Sequence, residues 1–585
     1  MNNKNIIISS ILLLISQIGY SQIKEEKLIL NRKREPETKK IEKKQTSISI
    51  EKNYPTRSKK IEDSLDLNYQ ITNIPAFSDF KPSQIQGIDV NPKFNEGYHN
   101  NYARAGYGNY GKVLFDGNYS QYLQKNTAVG IDAHFLRTNG LKKIFPWKSD
   151  QNNVTLGVYL KHHNENGKGG INVDYLRNSY NFYGIYNRDL VVNSELRQST
   201  NQVNINGYYD FYSNDILNNI IFKSSLINDK FNSIESRAEV SGNLSKHHLK
   251  LTENVNANAD LGVKLLTQNT DFKVNNLDTY NVFNFEISPK ITFYRDKLRL
   301  SVGSNLSFVN SKNNNITTTN KTNKLYWFPN AELSIQAIDE LNFYGGITSG
   351  IQINSYTHLL SENPYLLPDQ YLKPTETKYK VFFGIKGNTL ENFRYEISAG
   401  YGKLNNILFF SGNSFISGAY SDAPFAYANI FSATYDNGNL TEIKGNAQYS
   451  PIHNLYLNGE LTYQKYRLNT YKNIYNVPLI KGELGAKYMM FDKKLLLDFR
   501  GFFMTDRTTN AYFSRTLSSG QTTYQEDTNY KVGGFFDINL LAEYKFYKNF
   551  SIFAVGNNLL NANYHTFNGY RVLGAQILGG IKVIF

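Results

Sequence analysis

A period of two in hydrophobicity, sustained from about Tyr98 to the final residue Phe585, limits this chain more than any other feature. Stretches such as YGGITSGIQI, YEISAGYG and LLLDFRGFFM alternate apolar and polar side chains. Successive side chains of a β-strand point to opposite faces, so this period predicts strands with one apolar face. We therefore expect an all-β chain.

The connections between these segments fall into two length classes. Short polar turns alternate with long polar or aromatic stretches, as in outer-membrane barrels with short periplasmic turns and long outer loops. Ten short turns join strands in pairs and leave one strand at each end, which predicts about 22 strands, within a range of about 20 to 24. An even number places both chain ends on the periplasmic side. The short turns are predicted at residues 123–126, 161–170, 212–215, 245–248, 294–297, 338–341, 390–393, 451–454, 491–494 and 547–550.

We predict that residues 97–585 form a transmembrane antiparallel β-barrel. Mean hydropathy is −0.47, and no run of about 18 apolar residues follows residue 22, which excludes a bundle of membrane helices. Aromatic residues make up 14% of the chain, and Tyr suits a membrane–water interface because its ring is apolar and its tip polar. A soluble multi-sandwich or propeller is the alternative, but it would not sort its connections into two lengths.

The last strand shows how the two faces would be used. In GAQILGGIKVIF the alternation places one set of residues toward lipid and the other toward the lumen. The predicted lipid face holds Leu573, Ala575, Ile577, Gly579, Ile581, Val583 and Phe585, and the predicted lumen face holds Gly574, Gln576, Gly580 and Lys582.

Three segments precede the predicted barrel. Residues 1–21 have Lys4 before an apolar core and small residues before the cleavage point, which predicts a secretory signal peptide. Residues 22–63 are half charged and almost free of aromatics, which predicts a charged periplasmic tether. Residues 64–96 carry aromatics and three prolines without a clear period. We interpret them as an extended segment that docks on another surface, such as the lumen wall.

Charge and chemistry exclude several classes of function. Of the net charge of +14, residues 23–62 contribute 13 Lys/Arg against 7 Glu, so the rest of the chain is only mildly basic and no nucleic-acid partner is expected. The absence of Cys excludes disulfides, thiolate catalysis and Fe–S clusters. We predict no catalytic, cofactor-binding or metal-binding residue, and no enzyme.

Two histidine pairs are the nearest approach to a metal site. His162–His163 and His247–His248 lie at predicted turns, and adjacent residues of a strand point to opposite faces. We interpret both pairs as solvated turn residues. Glu526 and Asp527 supply two carboxylates, too few for a calcium site.

Two stretches are predicted to be outer loops. Residues 310–324, rich in Asn, Thr and Lys, are expected to be a solvated loop. Residues 409–431 are aromatic, and two roles remain open: binding a sugar or peptide, or folding over the barrel mouth.

Two motifs resemble those of TonB-dependent outer-membrane receptors. The stretch SENPYLLPDQYLKPTETKYKVFFGI is similar to the mid-barrel pattern NP-x-L…L-x-PE of that family, although Thr375 precedes the acidic Glu376. The C-terminal stretch looks like the last three strands of the family, with its NNL-x-N turn, the following loop and a terminal aromatic residue. The matching residues are Asn363, Pro364, Leu372, Pro374, Asn557, Asn558, Leu559, Asn561, Tyr564, Gly569 and Phe585.

This resemblance implies a location and partners. It implies the cell outer membrane of a Gram-negative bacterium, contact with outer-membrane lipid, and barrel insertion machinery that reads the terminal aromatic residue. The chain shows neither the plug pattern nor the TonB box that complete receptors carry before the barrel, so the resemblance implies the barrel rather than TonB-coupled transport.

The lumen then needs an occupant, because barrels of 22 strands are plugged. Residues 64–96 with inward-folded loops could fill it, or a partner protein could. Two functions follow. The first is substrate uptake or passage across the outer membrane. The second is a structural or assembly role as a plugless subunit of an outer-membrane protein complex.

Overall fold

The computed structural model describes residues 101–585 except 143, 187–191, 193–194, 213–215, 339, 390–391 and 517–521. The predicted signal peptide, tether and docking segment lie outside the described residues. Within the described part of the chain, no helix is long and apolar enough to cross a membrane.

Nearly all regular structure in this range is β-strand. One α-helix, α1 (Tyr356–Glu362), and two short 3₁₀ turns, Asn109–Gly111 and Gly418–Tyr420, complete it. The strands are β1 Tyr102–Gly108, β2 Lys112–Gln124, β3 Thr127–Thr138, β4 Gln151–Asn164, β5 Gly167–Asn181, β6 Arg197–Phe211, β7 Leu217–Asp229, β8 Ile234–Thr252, β9 Val255–Asp271, β10 Thr279–Arg295, β11 Leu298–Asn314, β12 Thr319–Ile338, β13 Leu341–Gln352, β14 Thr375–Thr389, β15 Phe393–Gly412, β16 Phe431–Ile452, β17 Leu455–Leu468, β18 Ile480–Met490, β19 Leu495–Met504, β20 Arg507–Thr516, β21 Thr522–Val532, β22 Phe535–Tyr547, β23 Phe550–Asn557, β24 His565–Phe567, β25 Tyr570–Arg571 and β26 Gln576–Ile584.

Twenty-two of these strands form one closed antiparallel sheet, as the sequence predicted. Closure occurs between β1 and β26, whose register runs from Tyr102↔Ile584 to Gly108↔Leu578. The other strands follow in chain order around the ring, while β20–β21 and β24–β25 form separate hairpins inside two connections. A closed sheet pairs every backbone group and has no free edge, which suits a structure that must cross lipid.

All ten short turns lie at one rim, called here the short-turn rim, together with both ends of the described chain. One predicted turn position was wrong. Residues 245–248 lie inside β8, which continues to Thr252. Lys246 pairs with Ala259 and Leu249 pairs with Ala257, so β8 advances by three residues where β9 advances by two. His247 and His248 therefore form a β-bulge. A bulge interrupts the alternation locally, and this interruption resembled a turn in the sequence.

The opposite rim, called here the long-loop rim, carries eleven connections, and the expectation that all would be long was wrong. The first is the three-residue turn Asn109–Gly111. Residues 310–324 are also not a loop, because β11 and β12 stay paired up to Asn314↔Thr319. The Asn315 side chain accepts hydrogen bonds from the backbone N–H groups of Thr317 and Thr318, at 2.9 and 2.7 Å, and so closes a tight turn.

The outer surface of the barrel is an apolar belt. Val158, Ile131 and Leu484 are more than half exposed although they lie in the middle of strands. Exposed aromatic residues flank this belt at both rims, with Trp327 toward the long-loop rim and Phe491 at the short-turn rim. An apolar band with aromatic girdles is the surface of a barrel that spans the outer membrane.

The faces of β26 largely follow the prediction. Ile577, Ile581 and Phe585 are exposed toward lipid, and Gln576 and Lys582 are buried on the lumen side. The assignment of Leu573 to the lipid face was wrong. Leu573 precedes the strand and packs in the apolar cluster at the long-loop rim.

Candidate functional site at the long-loop rim

The connection between β13 and β14 turns into the barrel mouth. Its residues from Glu362 to Gln370 are all buried, and helix α1 lies within it. Ser355 caps the helix start by accepting a hydrogen bond from the N–H of His358 at 3.1 Å. Asn363 ends the helix, and its side chain accepts from the N–H of Tyr365 at 3.0 Å. A buried connection must satisfy its own polar groups in this way.

Carboxylates on the lumen wall fix this connection. Glu235 of β8 accepts hydrogen bonds from the N–H groups of Tyr356 and Thr357, at 2.6 and 3.0 Å. These are free N–H groups of the first turn of α1, so the carboxylate also faces the positive end of the helix. Asp229 accepts from the Tyr356 hydroxyl at 2.9 Å. The connection is therefore attached to the wall.

Three connections meet at the centre of the mouth through a tyrosine cluster. Tyr183 lies between β5 and β6, Tyr365 between β13 and β14, and Tyr570 between β23 and β26. Their ring centroids are 6.1, 5.0 and 3.4 Å apart for the pairs 183–365, 183–570 and 365–570. Eight barrel strands (β6 to β13) separate the first two connections, and eight more (β14 to β19, β22 and β23) separate the second from the third. Loops from three sides of the ring thus meet over the lumen.

Hydroxyl groups of this tyrosine cluster donate hydrogen bonds to backbone carbonyls of other connections. Tyr183 donates to the carbonyl of Arg571 at 2.9 Å, and Tyr570 donates to the carbonyl of Asn429. Burial raises the pKa of Tyr183 to about 12 and the pKa values of Tyr365 and Tyr570 well above their ordinary value. All three hydroxyls are neutral at physiological pH, and those of Tyr183 and Tyr570 bind the loops to one another as hydrogen-bond donors.

Residues 413–430, between β15 and β16, complete the cap. Asn429 is 1% exposed and donates to the carbonyl of Phe182 at 2.6 Å. Ile430 and Phe431 lie in the same apolar cluster as the tyrosines. Residues 425–431 fold over the mouth, whereas binding of a sugar or peptide by this stretch stays a prediction. We call the buried parts of these four connections the cap.

A second attachment joins the cap to the connection between β9 and β10. Asp369 accepts hydrogen bonds from the N–H groups of Leu277 and Asp278, at 3.2 and 3.4 Å, and also from Asn276. Burial, then the charge of the nearby Asp278 carboxyl, raises the pKa of Asp369 to about 7. Its protonation therefore changes within the physiological range.

The β20–β21 hairpin also binds to the cap. Arg507, at the start of β20, is fully buried and donates hydrogen bonds to the backbone carbonyls of Thr566 and His565, the latter at 2.6 Å. Burial lowers the pKa of Arg507 to about 10, so the side chain stays charged at neutral pH. Hydrogen bonds to two carbonyls partly offset the loss of water around this charge.

The mid-barrel motif residues all lie in or beside the cap. Pro364 accepts a hydrogen bond from the Tyr180 hydroxyl at 2.6 Å through its carbonyl. The carbonyl of Leu372 accepts from the side chain of Asn313 at 2.7 Å, and that of Pro374 accepts from Asn406 at 3.1 Å. With Asn363, these residues position the inward connection.

The C-terminal motif builds the turn after β23. Asn558 and Asn561 have φ of 46° and 51°, a left-handed conformation that Asn tolerates. The Asn558 side chain donates to the carbonyl of Ala562 and accepts from its N–H, both at 2.8 Å. Neighbouring Asn557 is buried at the end of β23, while Leu559 is partly exposed and lies against Gly556.

The remaining C-terminal motif residues connect the turn to its surroundings. Tyr564 stacks on Phe535 with centroids 3.8 Å apart and donates to Asp537 at 2.7 Å. Gly569 has φ of 82°, and a Cβ there would lie 1.9 Å from the Gly184 carbonyl oxygen. Phe585 follows β26 at the short-turn rim, far from the cap, and its N–H donates to the carbonyl of Asn101 at 2.9 Å.

The histidine pairs take no part in the cap. His162 and His163 lie in β4, next to a short turn, and His247 and His248 form the bulge in β8. Among the described residues, no group of three His, Asp or Glu side chains could hold a metal ion.

Sequence reasoning missed Tyr183, Glu235 and Asp369 as functional positions. Tyr183 lies in residues 180–186, at the start of a long connection. The density of aromatic residues there could have identified it from the sequence. Glu235 is an ordinary lumen carboxylate in the sequence, because its partner Tyr356 is far away along the chain. Only the closed ring brings such pairs together.

Comparison with solved structures shows the same fold. The ferric-catecholate import receptor Fiu from E. coli matches with a TM-score of 0.62 and 11% identity, over 84% of this chain and 82% of that one. The siderophore receptor PiuA from Acinetobacter baumannii matches with a TM-score of 0.60 and 8% identity, over 84% and 82%. The pyoverdine receptor FpvA from Pseudomonas aeruginosa matches with a TM-score of 0.58 and 12% identity, over 84% and 79%. No protein-family model and no curated protein matches the sequence.

Proposed function

We propose that this chain is a receptor-like outer-membrane barrel, without enzymatic activity, that takes part in the uptake or passage of a substrate. The observation that carries the proposal is a 22-stranded barrel with a lipid-facing belt that shares its fold with receptors for ferric catecholates and pyoverdine. The likeness supports an uptake role and leaves the substrate class open.

The cap defines how such a barrel would work. Uptake from outside requires the three tyrosine-bearing connections to separate, because they meet over the lumen. A ligand or partner that binds the outer surface of the cap would supply the free energy for that separation.

Isolation of the full chain from its native outer membrane tests this proposal. We expect a tagged protein in mild detergent to carry a small ligand at the cap, visible by native mass spectrometry, without a stoichiometric protein partner. The variant Tyr365→Ala should lose the ligand, whereas Tyr420→Ala, on an exposed part of residues 413–430, should retain it. Uptake would be contradicted if neither the unmodified protein nor the variants carried a ligand and every preparation contained a partner protein.

A second function is favoured by the chemistry of the cap. Its centre is filled by packed aromatic side chains of this chain's own connections. A barrel whose mouth is packed in this way could serve as a structural or assembly subunit of an outer-membrane complex. A stable complex of fixed stoichiometry, unchanged by Tyr365→Ala, would support this second function.

A further inference from the structure

The barrel wall has an unpaired strand edge at the long-loop rim, where β12 extends beyond its neighbour β13. The pairing of these two strands stops at Ala331↔Ile347, whereas β12 begins at Thr319. Among the described strands, only β11 pairs with β12 from Thr319 to Asn330. We call the side of residues 319–328 that faces away from β11 the free edge.

The β11–β12 ladder fixes which backbone groups point to the free edge. At one end of the ladder, the Asn315 N–H donates to the Thr318 carbonyl at 3.0 Å. At the other end, the Gln336 N–H donates to the Lys297 carbonyl at 2.9 Å. Because hydrogen-bonded and non-hydrogen-bonded pairs alternate, both contacts place the even-numbered residues of β12 in the hydrogen-bonded pairs with β11. The odd-numbered residues therefore direct their N–H and C=O groups to the free edge.

These edge groups have no strand partner in the part of the chain that the structure describes. No backbone N–H or carbonyl of another described residue bonds to them. Pro329 ends the row, because it has no N–H and its carbonyl accepts from the Ser349 hydroxyl at 2.7 Å. Such a row is a template for a further strand. The residues that supply it are Thr319, Lys321, Asn323, Leu325 and Trp327.

Both faces of β12 are open to solvent along the free edge. Residues 319–325 are all exposed, although strands lower in the wall bury their lumen face. Leu325 and Trp327 are 66% and 68% exposed. Trp327 belongs to the aromatic girdle, so the free edge begins at the membrane interface and extends away from the membrane.

The surroundings of the free edge are basic. Residues 297–331 contain no Asp or Glu, whereas Lys312, Lys321 and Lys324 lie on the β11–β12 hairpin and are exposed. Lys312 and Lys321 are cross-strand partners in a non-hydrogen-bonded pair, in which side chains lie close together. Like charges directly opposite one another destabilise a sheet. An anionic partner at this position would remove that cost.

We propose that the free edge binds an extended acidic segment of another protein by strand addition. The backbone of the segment pairs with the odd-numbered residues of β12. Its carboxylates lie opposite Lys321 and Lys324, and its apolar side chains pack on Leu325 and Trp327. The edge from Lys321 to Trp327 is about 20 Å long at the rise of a strand, which accommodates roughly seven residues of the segment.

Charge disfavours a second copy of this chain as the occupant. Pairing of two free edges would bring Lys321 and Lys324 of both molecules together and would supply no carboxylate. An acidic segment compensates for the same charges. The proposal is independent of the proposed uptake function, since no residue of the free edge belongs to the cap.

Binding of a synthetic peptide to the full-length protein in a neutral detergent tests the proposal. The probe is a fluorescent peptide of about nine residues, with alternating Val and Thr in one half and Glu in the other. Asn323→Pro removes an N–H from the free edge without removing a hydrogen bond to β11, and an edge strand tolerates such a proline. We expect this variant to weaken binding at least about tenfold, while heat-modifiable migration shows an intact barrel.

Charge variants test the other half of the proposal. Lys321→Glu should weaken binding about tenfold, because it places a carboxylate against the Glu residues of the peptide. Lys472→Glu is the matched control, since Lys472 is an exposed lysine between β17 and β18, and it should bind like the unmodified protein. The same peptide with N-methyl groups on alternate residues keeps its charge but loses backbone donors, and it should not bind.

Each other outcome overturns the proposal. Unchanged binding by Asn323→Pro would mean that the lysines bind anions, such as lipid headgroups, without strand addition. Equal weakening by Lys472→Glu would mean that net charge alone attracts the peptide. Failure of the peptide to bind the unmodified protein at millimolar concentration would also overturn it. A concentration-dependent dimer that Asn323→Pro abolishes would assign the edge to a second copy.

Hydrogen exchange of the unmodified protein gives a second test that needs no variant. The peptide should slow exchange of the amides in residues 319–328 at least several-fold, because strand addition protects the edge N–H groups. Residues 469–479, between β17 and β18, should be unaffected. A bound peptide that leaves residues 319–328 unprotected would overturn the proposal, and this result does not depend on any ligand at the cap.

Discussion

The long-loop rim and the short-turn rim differ in where the chain between strands is placed. At the long-loop rim, connections from three sides turn inward and bury Tyr183, Tyr365 and Tyr570 against one another. At the short-turn rim, the connections are tight turns such as Asp296–Lys297, and none of their described residues belongs to a buried cluster. The connections of the long-loop rim thus pack against one another across the barrel mouth, whereas the turns of the short-turn rim do not.

The largest effect is expected from removing a ring at the centre of the cap. Tyr570→Ala should lower the free energy of local opening by about 3 to 5 kcal/mol, because it leaves a cavity among packed aromatics. Hydrogen exchange of the amides in residues 353–374 measures this opening. Tyr420→Ala, which removes a partly exposed ring, should change exchange little, and equal acceleration by both would remove the distinction between the cap and an ordinary loop.

A smaller effect should follow from a close backbone approach. Gly569→Ala places a Cβ where the Gly184 carbonyl lies and forces a left-handed φ, so we expect a cost of about 1 to 3 kcal/mol in cap opening. Gly418→Ala is the matched control, since Gly418 has φ of 79° and open space around its Cβ position. If the two variants open the cap equally, contact between the two connections is not what holds it.

A smaller change in the stability of the cap should come from protonation of Asp369. The pKa of Asp369 is raised to about 7, so the attached state binds the proton more tightly than the detached state. Attachment is therefore strongest below about pH 4, weakens as pH rises toward about 7, and is constant above that pH. Because one proton is involved, the equilibrium constant of attachment changes at most about tenfold per pH unit. In Asp369→Asn, exchange in residues 353–374 should lose this dependence. Asp527→Asn, at an exposed acid on β21, should retain it.

The smallest effect concerns the other rim. Removal of Phe585 should reduce the amount of inserted, heat-modifiable protein several-fold, because the residue resembles an insertion signal and its N–H binds the Asn101 carbonyl at 2.9 Å. Phe585→Tyr, which keeps the ring, should insert normally. Unchanged insertion after removal would count against a role for the terminal ring, and leave the cap unaffected.

The wall could be predicted from the sequence because its rule is local. Alternation within β26 was enough to place Ile577 and Lys582 on opposite faces, and ten turns were enough for the strand number. The local rule failed where a bulge at His247–His248 imitated a turn, and where the polar residues 310–324 remained paired as strands.

The cap could not be predicted because its contacts are remote in sequence. Tyr183 and Tyr570 come together only when the ring closes, and no local pattern links Glu235 to Tyr356. The motif residues Asn363 and Gly569 were found through resemblance alone. The structure gives them physical roles, in ending a buried helix and in allowing two backbones to touch.

Single-channel conductance in a planar bilayer tests closure by the cap most directly. The purified full-length protein should show a small, quiet conductance. Replacement of residues 356–372 by a Gly-Ser linker of equal length should raise this conductance several-fold, because it removes one of the four connections that form the cap. A large, steady conductance in the unmodified protein would contradict the account, because the mouth would then be open with the cap in place.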